Sequence, residues 1–502
     1  VKQDIIINAT ARESRIAIME DDSLAEFLIQ RGKERGIVGN IYKGKVSRVL
    51  PGMQAAFVDI GLEKAAFLHV SDFSSGPEDV SSLLTGSDEE IIFEAPRPSS
   101  RRLPIERQLS REQEIVVQTA KDPLGMKGAR LTSHISLPGR YLVFMPTTHH
   151  GGISRRIEDE KERKRLKEIA QTLKTDQGGF IMRTACEGVS KREIQRDLAF
   201  LTKLWRKIQS KSETAAAPSL IHQDLDLIAR TIRDFFAADT HQVFIDNAKE
   251  YRRMLDFVGQ FMPRMKSKIK LYTEPKPILD HFGVEDKVAK ALQPKVWLRS
   301  GGYIIIERTE ALTAIDVNTG RFVGKRNQEE TILKTNLEAI QEIVCQLRLR
   351  NIGGIIIIDF IDMEREGNRK RVYETLKEAI KKDKARTKIL KISEFGLVEM
   401  TRQRTRESLE NMLLSACPSC EGRGRIKSVV TIAYEILRAI KREKGNLEDG
   451  KRIVVRLHPD IANLLYDEES QSLDEMEREI DRKIIIKASD SLPHEKYEIS
   501  TV

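Results

Sequence analysis

Two aliphatic runs in this chain each end on a carboxylate: Ala314-Ile315-Asp316-Val317-Asn318 and Ile355-Ile356-Ile357-Ile358-Asp359-Phe360-Ile361-Asp362. An unbroken aliphatic run reads as a strand inside a sheet, and an acid at its C-terminal end lies where open α/β sheets bind their ligands. Between the runs, Ile332, Leu333, Leu337, Ile340, Ile343, Val344 and Leu347 recur at helical spacing, so strand, helix and strand form one crossover unit. A right-handed crossover brings Asp316 and Asp359 to the same sheet edge. Two carboxylates with open positions between them suit magnesium, which takes oxygen ligands and keeps waters that a phosphate can displace. The competing reading is that these acids cap strands and pair with a nearby Lys or Arg.

At about 150 residues per domain, a chain of 502 residues holds three or more domains. Lys and Arg total 85 against 76 Asp and Glu, and the net charge of +9 permits a nucleic-acid groove without demanding one. No apolar stretch reaches transmembrane length and the N-terminus carries no charged-then-apolar leader pattern, so a soluble, cytoplasmic protein is expected. The four cysteines are too few to staple a secreted fold. The chain begins at Val1, which is expected to follow a lost initiator residue.

Short β-rich segments occupy residues 1–38. From Gly39 a different pattern begins: Ile41-Tyr42-Lys43-Gly44-Lys45-Val46-Ser47-Arg48-Val49, then residues 54–61, then Ala65-Ala66-Phe67-Leu68-His69-Val70. Short strands punctuated by Gly and Pro predict a small barrel, with a long loop over residues 74–112 and a closing strand at 115–120. Phe57 and Phe67 are candidates for stacking unpaired bases, with Lys43, Lys45, Arg48 and Lys121 tracking phosphates. Filling of the barrel core is the alternative role for the two rings. Residues 129–222 mix strands with two charged helices, and Ser212-Glu213-Thr214-Ala215-Ala216-Ala217-Pro218 reads as a linker. An α/β pattern returns after Asp224.

Near the C-terminus, Cys417-Pro418-Ser419-Cys420 is followed by Glu421-Gly422-Arg423-Gly424. A C-x-x-C loop with a Gly-rich exit is half of a zinc ribbon, and zinc wants four ligands. A plain turn, a redox pair and a zinc ion shared between two subunits all remain open, although a redox motif would normally sit between a strand and a helix. Cys186 and Cys345 stand alone in apolar patterns and read as small buried hydrophobes.

These segments together resemble the ribonuclease E/G family of bacterial endoribonucleases. The likeness rests on the barrel at 39–70, Gly151-Gly152-Ile153-Ser154-Arg155-Arg156-Ile157, Ala311-Leu312-Thr313-Ala314-Ile315-Asp316-Val317-Asn318-Thr319-Gly320, Gln346-Leu347-Arg348-Leu349-Arg350, residues 353–363 and Cys417 to Cys420. Residues 38–62 and 402–408 are most similar to the family's shorter members, and a chain ending near 502 is expected to lack the long disordered tail of the others.

The resemblance implies an α/β multidomain fold. A ribonuclease H-like domain (1–38 and 223–291) would be interrupted by an OB-fold barrel (39–128) and a 5′-sensor domain (129–222). A DNase I-like catalytic domain (292–412), a zinc-link (413–424) and a small C-terminal α/β domain (425–502) would follow. It also implies that Asp316 and Asp359 bind catalytic magnesium with Asn318 beside them, that Phe57 and Phe67 lie on the RNA face, and that Arg183 and Thr184 grip a 5′-monophosphate. Without the family, Arg183 would be a strand-end Arg paired with a surface acid. Asp362 would either support the metal or form a salt bridge where its strand exits. Cys417 and Cys420 would hold zinc across a homodimer or higher oligomer. The implied activity is cleavage of single-stranded, AU-rich RNA in ribosomal RNA maturation and messenger RNA decay. A non-catalytic RNA-binding or ribosome-assembly factor on the same fold is the alternative, but such a factor has no use for two acids facing a phosphate backbone.

Overall fold

The computed structural model describes residues 2–32, 36–73, 91–92, 104–123, 127–147, 152–154, 157, 159–173, 178–237, 239–320, 328–381, 383, 385–390, 393, 396–404, 406–443 and 452–502. Gly151, Arg155, Arg156 and most of the 74–112 segment lie outside the described residues. The chain divides into two compact units, Val1–Met412 and Leu413–Val502.

The first unit holds four sheets. Strands Gln3–Ala9, Glu13–Glu20 and Ser23–Arg31 form a meander, and the chain returns some 200 residues later to lay Thr240–Ile245 parallel to the first of them. Ile5, Ile7, Ile16 and Leu28 pack there against Ile228, Ile232, Met254 and Val258 of helices Leu227–Phe235 and Ala248–Phe261. Everything between Arg31 and Leu227 is thus inserted into one sheet.

The insertion opens with a closed five-stranded barrel: Ile41–Leu50, Ala55–Asp59, Ala66–His69, Arg130–Thr132 and Glu114–Lys121, which pairs back onto Ile41–Leu50. Alternation sends Val46, Ala56, Val58, Ala66, Leu68 and Val117 inward. At Gly44 a side chain would meet Val58 Cγ1 at 2.6 Å, so the tight bend of the first strand requires glycine. The barrel runs past the expected limit at 128, because Arg130–Thr132 is one of its strands. The expected barrel loop also does more than link strands. Ile105, on the short helix Ile105–Gln108, enters the barrel core, and Ile91–Ile92 joins the next sheet beside Gly152–Ser154.

That next sheet runs Leu137–Pro138, Leu142–Met145, Gly179–Met182, Gly152–Ser154, Ile91–Ile92, with helices Glu160–Thr172 and Lys191–Thr214 contributing to its core. The expected linker shrinks accordingly. Ser212 and Thr214 keep the helix by bonding their hydroxyls back to Gln209, Ser210 and Lys211 carbonyls, leaving only residues 215–218 outside it.

The fourth sheet is mixed, in the order Lys295–Trp297, Tyr303–Arg308, Leu312–Asn318, Gly354–Asp359, Leu397–Arg402, Thr387–Ile389. Helices Gln328–Leu349 and Glu366–Ile380 cover one face, where Ile315, Val317, Ile356 and Ile358 meet Ile340, Ile343, Leu347, Val372 and Leu376. The aliphatic run does lie inside the sheet, but only one of its faces is buried. On the other, Ile355 is 50% exposed. The Gln346 to Arg350 motif docks the crossover helix. Arg348 forks onto Glu20 at 2.7 and 2.9 Å, and Arg350, fully buried, bonds Gln346 and the Gln293 carbonyl.

The second unit carries strands Ile484–Ala488, Ile453–Leu457 and Glu498–Thr501 with helices Val429–Glu443, Pro459–Tyr466 and Ser470–Ile480 around one aliphatic core. No helix among the described residues is long and apolar enough to cross a membrane.

Candidate active site and RNA-facing surfaces

Strands Leu312–Asn318 and Gly354–Asp359 pair in parallel, and their register sets Asp316 directly opposite Asp359. Both acids point away from the helices, on the open face. Asn318 shares that face, and its Nδ2 donates to Asp316 Oδ2 at 2.7 Å, which orients the carboxylate. Burial, reinforced by the charges of Asp316 and Asp362, pushes the Asp359 carboxyl above its ordinary pKa. Neither Asp316, Asp359 nor Asp362 forms an ion pair with a Lys or Arg among the described residues. The salt-bridge alternatives for these acids are therefore absent there. Like charges crowded on one edge without a cation are electrostatically incomplete, and an all-oxygen donor set fits a hard divalent ion such as magnesium better than a thiophilic one.

On the barrel, Phe57 and Phe67 are cross-strand partners with ring centroids 6.1 Å apart, edge to face. Their neighbours Ala56, Val58, Ala66 and Leu68 fill the interior, so both rings lie half-buried on the outer wall rather than in the core. Register extends the pair into a row across all five strands: Arg48, Phe57, Phe67, Arg130, Lys121. Two aromatic platforms are flanked by cations. His69 continues the outer face, stacked on Phe67 at 6.4 Å. Arg130, held by Asp72 at 2.8 Å, and His69 were not singled out from the sequence; the period-two alternation from Phe67 to His69 was the available signal for the latter.

Two other lysines expected to track phosphate each have an acidic partner. Lys43 Nζ pairs with Glu114 at 2.9 Å and donates to the Ala215 carbonyl, and Lys45 pairs with Glu112 at 2.5 Å. The strand that closes the barrel carries or follows these acids, and register sets both lysines outside the row.

Arg183 ends strand Gly179–Met182 and caps the turn that Thr184 begins. Its Nη1 donates to the Gly139 carbonyl at 2.7 Å and to Asp234 Oδ1 at 3.0 Å. Asp234 also takes a fork from Arg233, whose Nη1 reaches the Pro138 carbonyl. Burial would raise the Asp234 pKa, but the Arg233 and Arg183 guanidiniums outweigh it and hold the carboxyl far below the usual range. The Arg140 Nη1 donates to the Arg233 carbonyl, while its buried Nε has no partner among the described residues. Two guanidiniums thus flank one acid, and sequence reading found only Arg183.

In the second unit, Cys417 and Cys420 lie in a turn ahead of helix Val429–Glu443, not at a strand-to-helix junction. Glu421 N–H bonds the Cys417 carbonyl at 2.8 Å, and Glu421, Gly422 and Gly424 all take positive φ. Backbone N–H groups of Cys420 and Ser419 aim at the Cys417 sulfur and lower its pKa, which favours the thiolate that metals bind. The Cys345 thiol, by contrast, is pushed up to about 11 by burial, which disfavours its thiolate.

The Ribonuclease E/G family model matches residues 136–405, more than half of the chain. The chain belongs to the ribonuclease E/G family. A second model, the thioredoxin-like domain of RNase E/G, matches residues 416–502. The chain is 46% identical over 496 residues to ribonuclease G of Escherichia coli (strain K12), covering 99% of each protein. Ribonuclease G of Haemophilus influenzae is likewise 46% identical, over 498 residues and 99% of each. Ribonuclease E of Escherichia coli (strain K12) is 38% identical over 507 residues, which cover 99% of this chain and 46% of that protein.

Proposed function

We propose that this member of the ribonuclease E/G family is a magnesium-dependent endoribonuclease of the cytoplasm. Its substrates are single-stranded, AU-rich RNAs, its products carry 5′-phosphate and 3′-hydroxyl ends, and a 5′-monophosphate stimulates it. Ribosomal RNA maturation and messenger RNA decay are the corresponding roles. The observation that carries the reading is the Asp316–Asp359 register pair on an open sheet face with no cationic partner among the described residues.

Asp316 and Asp359 would hold the metal, with Asn318 fixing the Asp316 carboxylate and Asp362 adding negative charge behind Asp359. Magnesium held there supplies Lewis-acid polarisation of the scissile phosphate and a more acidic water nucleophile. Phe57 and Phe67 stack the bases of a single strand while Arg48, Arg130 and Lys121 neutralise its phosphates. Arg183 and Thr184 receive a terminal phosphate, which competes with Asp234 for the guanidinium. An RNA-binding factor without cutting leaves the paired acids unexplained, since they repel an RNA backbone.

Incubating end-labelled single-stranded RNA with the protein in magnesium, then in EDTA, tests the reading. Cleavage that stops with EDTA and returns with magnesium is expected; undiminished cleavage in EDTA refutes it. The reading extends to one zinc per two chains, held by Cys417 and Cys420 of each subunit in a closed twofold dimer. Cys417→Ser and Cys420→Ser should each lower zinc content and the mass seen by light scattering, and a full zinc per chain would exclude sharing.

A further inference from the structure

The second unit holds a set of metal-ligating side chains that neither RNA cleavage nor the thiolate pair uses. His458 Nδ1 lies 3.4 Å from Asp460 Oδ2, His494 Nε2 lies 3.3 Å from the same oxygen, and all the ligand atoms fall within 4.8 Å of one another. We propose that His458, Asp460 and His494 form a binding site for a borderline divalent ion of the zinc type, separate from the catalytic carboxylates and from Cys417 and Cys420.

Spacing is the first argument. A tetrahedral ion with bonds of about 2.0–2.1 Å holds its ligand atoms about 3.3–3.4 Å apart. Both imidazole-to-carboxylate separations match that edge. The second argument concerns lone pairs. His458 caps helix Pro459–Tyr466, and its Nδ1 accepts the Asp460 N–H at 3.3 Å, which makes Nδ1 the unprotonated nitrogen. An imidazole nitrogen has a single in-plane lone pair, so an ion at Nδ1 replaces this long hydrogen bond and lies beside the Asp460 carboxylate oxygen 3.4 Å away. On the other ring, Nδ1 of His494 is buried with no partner among the described residues, and the ring's polar contact is through Nε2 toward Asp460.

The third argument is placement. His458 directly follows strand Ile453–Leu457 and His494 lies in the loop after Ile484–Ala488, the parallel neighbour of that strand. Both ligands therefore leave the C-terminal ends of adjacent parallel strands, the edge at which open α/β sheets hold ligands. The Ser489 N–H bonds the Leu457 carbonyl at 2.9 Å and ties the two loops together before the ion arrives. Two imidazoles and one carboxylate favour zinc, cobalt or nickel over magnesium and leave a fourth position for water.

The test uses the full chain carrying Cys417→Ser and Cys420→Ser, with magnesium saturating, so that neither the thiolates nor the catalytic acids compete. Cobalt(II) is titrated and read by visible absorption, then displaced with zinc. One cobalt per chain with tetrahedral d–d bands and no thiolate charge-transfer band is expected. His458→Asn, which keeps a helix cap, and His494→Gln, which changes only a loop side chain, should each weaken binding at least about tenfold, the loss of one ligand bond. Absence of the bands, or bands and affinity unchanged in both variants, overturns the proposal.

Discussion

The strand-end acids and the Arg183–Asp234 cluster solve opposite electrostatic problems within one unit. Asp316 and Asp359 stand side by side with no countercharge among the described residues, and burial, reinforced by the neighbouring acids, raises the Asp359 pKa. Asp234 sits between two guanidiniums that lower its own. The first arrangement is destabilised until a cation binds, and the second is already satisfied, so any phosphate that enters must displace a carboxylate. A site that recruits a metal is built from unmet charge; one that discriminates between chain ends can be built from charge already met, since only a ligand better than the resident acid wins.

The sharpest way to break this contrast is to remove the unmet charge. Asp316→Asn and Asp359→Asn should each cut cleavage of a labelled single strand by about a thousandfold, the loss of several kcal/mol of metal-derived stabilisation. RNA affinity should hold or rise, since a repulsive charge is gone. Parent-rate cleavage by either purified variant would remove both acids from the active site. The barrel row comes next: Phe57→Ala and Phe67→Ala should each weaken single-strand binding by about 1–3 kcal/mol for the missing base stack, with little dependence on salt. Arg48→Ala and Lys121→Ala should instead flatten the salt dependence, by about 0.7 in slope for each phosphate left without its cation. Fluorescence anisotropy across a salt series separates the two classes, and identical behaviour would deny the row its aromatic centre.

A smaller effect is expected at the occupied pocket. Matched RNAs with 5′-monophosphate and 5′-triphosphate should be cut at rates differing by about tenfold, the worth of one charge-assisted hydrogen bond, and Arg183→Ala should erase the difference. Asp234→Asn should widen it by removing the competing negative charge; a narrower gap would mean that Asp234 helps rather than competes.

The effect that compares the sites directly is on stability. The lowered pKa of Asp234 means that its stabilisation is complete above the unfolded value of about 3.9 and is lost as pH falls toward the folded one. Asp359 has the opposite sign: its ionised form costs stability at neutral pH, and protonation relieves that cost as pH falls through the raised folded pKa. In EDTA at pH 7, Asp234→Asn should therefore lose about 2 kcal/mol while Asp359→Asn gains a fraction of that. Shifts of the same sign in denaturant melts would collapse the distinction between the two regions.

The sequence by itself determined the crossover unit and the edge on which its acids lie. The repeat of apolar residues from Ile332 to Leu347 and the aliphatic run ending at Asp359 encode helix and strand locally, and the handedness of the connection leaves one arrangement. Alternation likewise separated Phe57 and Phe67 from Ala56, Val58, Ala66 and Leu68, although which set faced inward waited on barrel closure. What only the tertiary structure decided were partners distant in the chain. Lys43 meets Glu114 on the strand that closes the barrel, and register sets Arg130 next to Phe67. Asp234 reaches Arg183 from 51 residues away, and His494 reaches Asp460 from 34. Periodicity fixes the face on which a side chain emerges, because that follows from the backbone repeat. It carries no information about which charge stands opposite, because that depends on strand register and on loops whose ends meet only once the sheets have assembled.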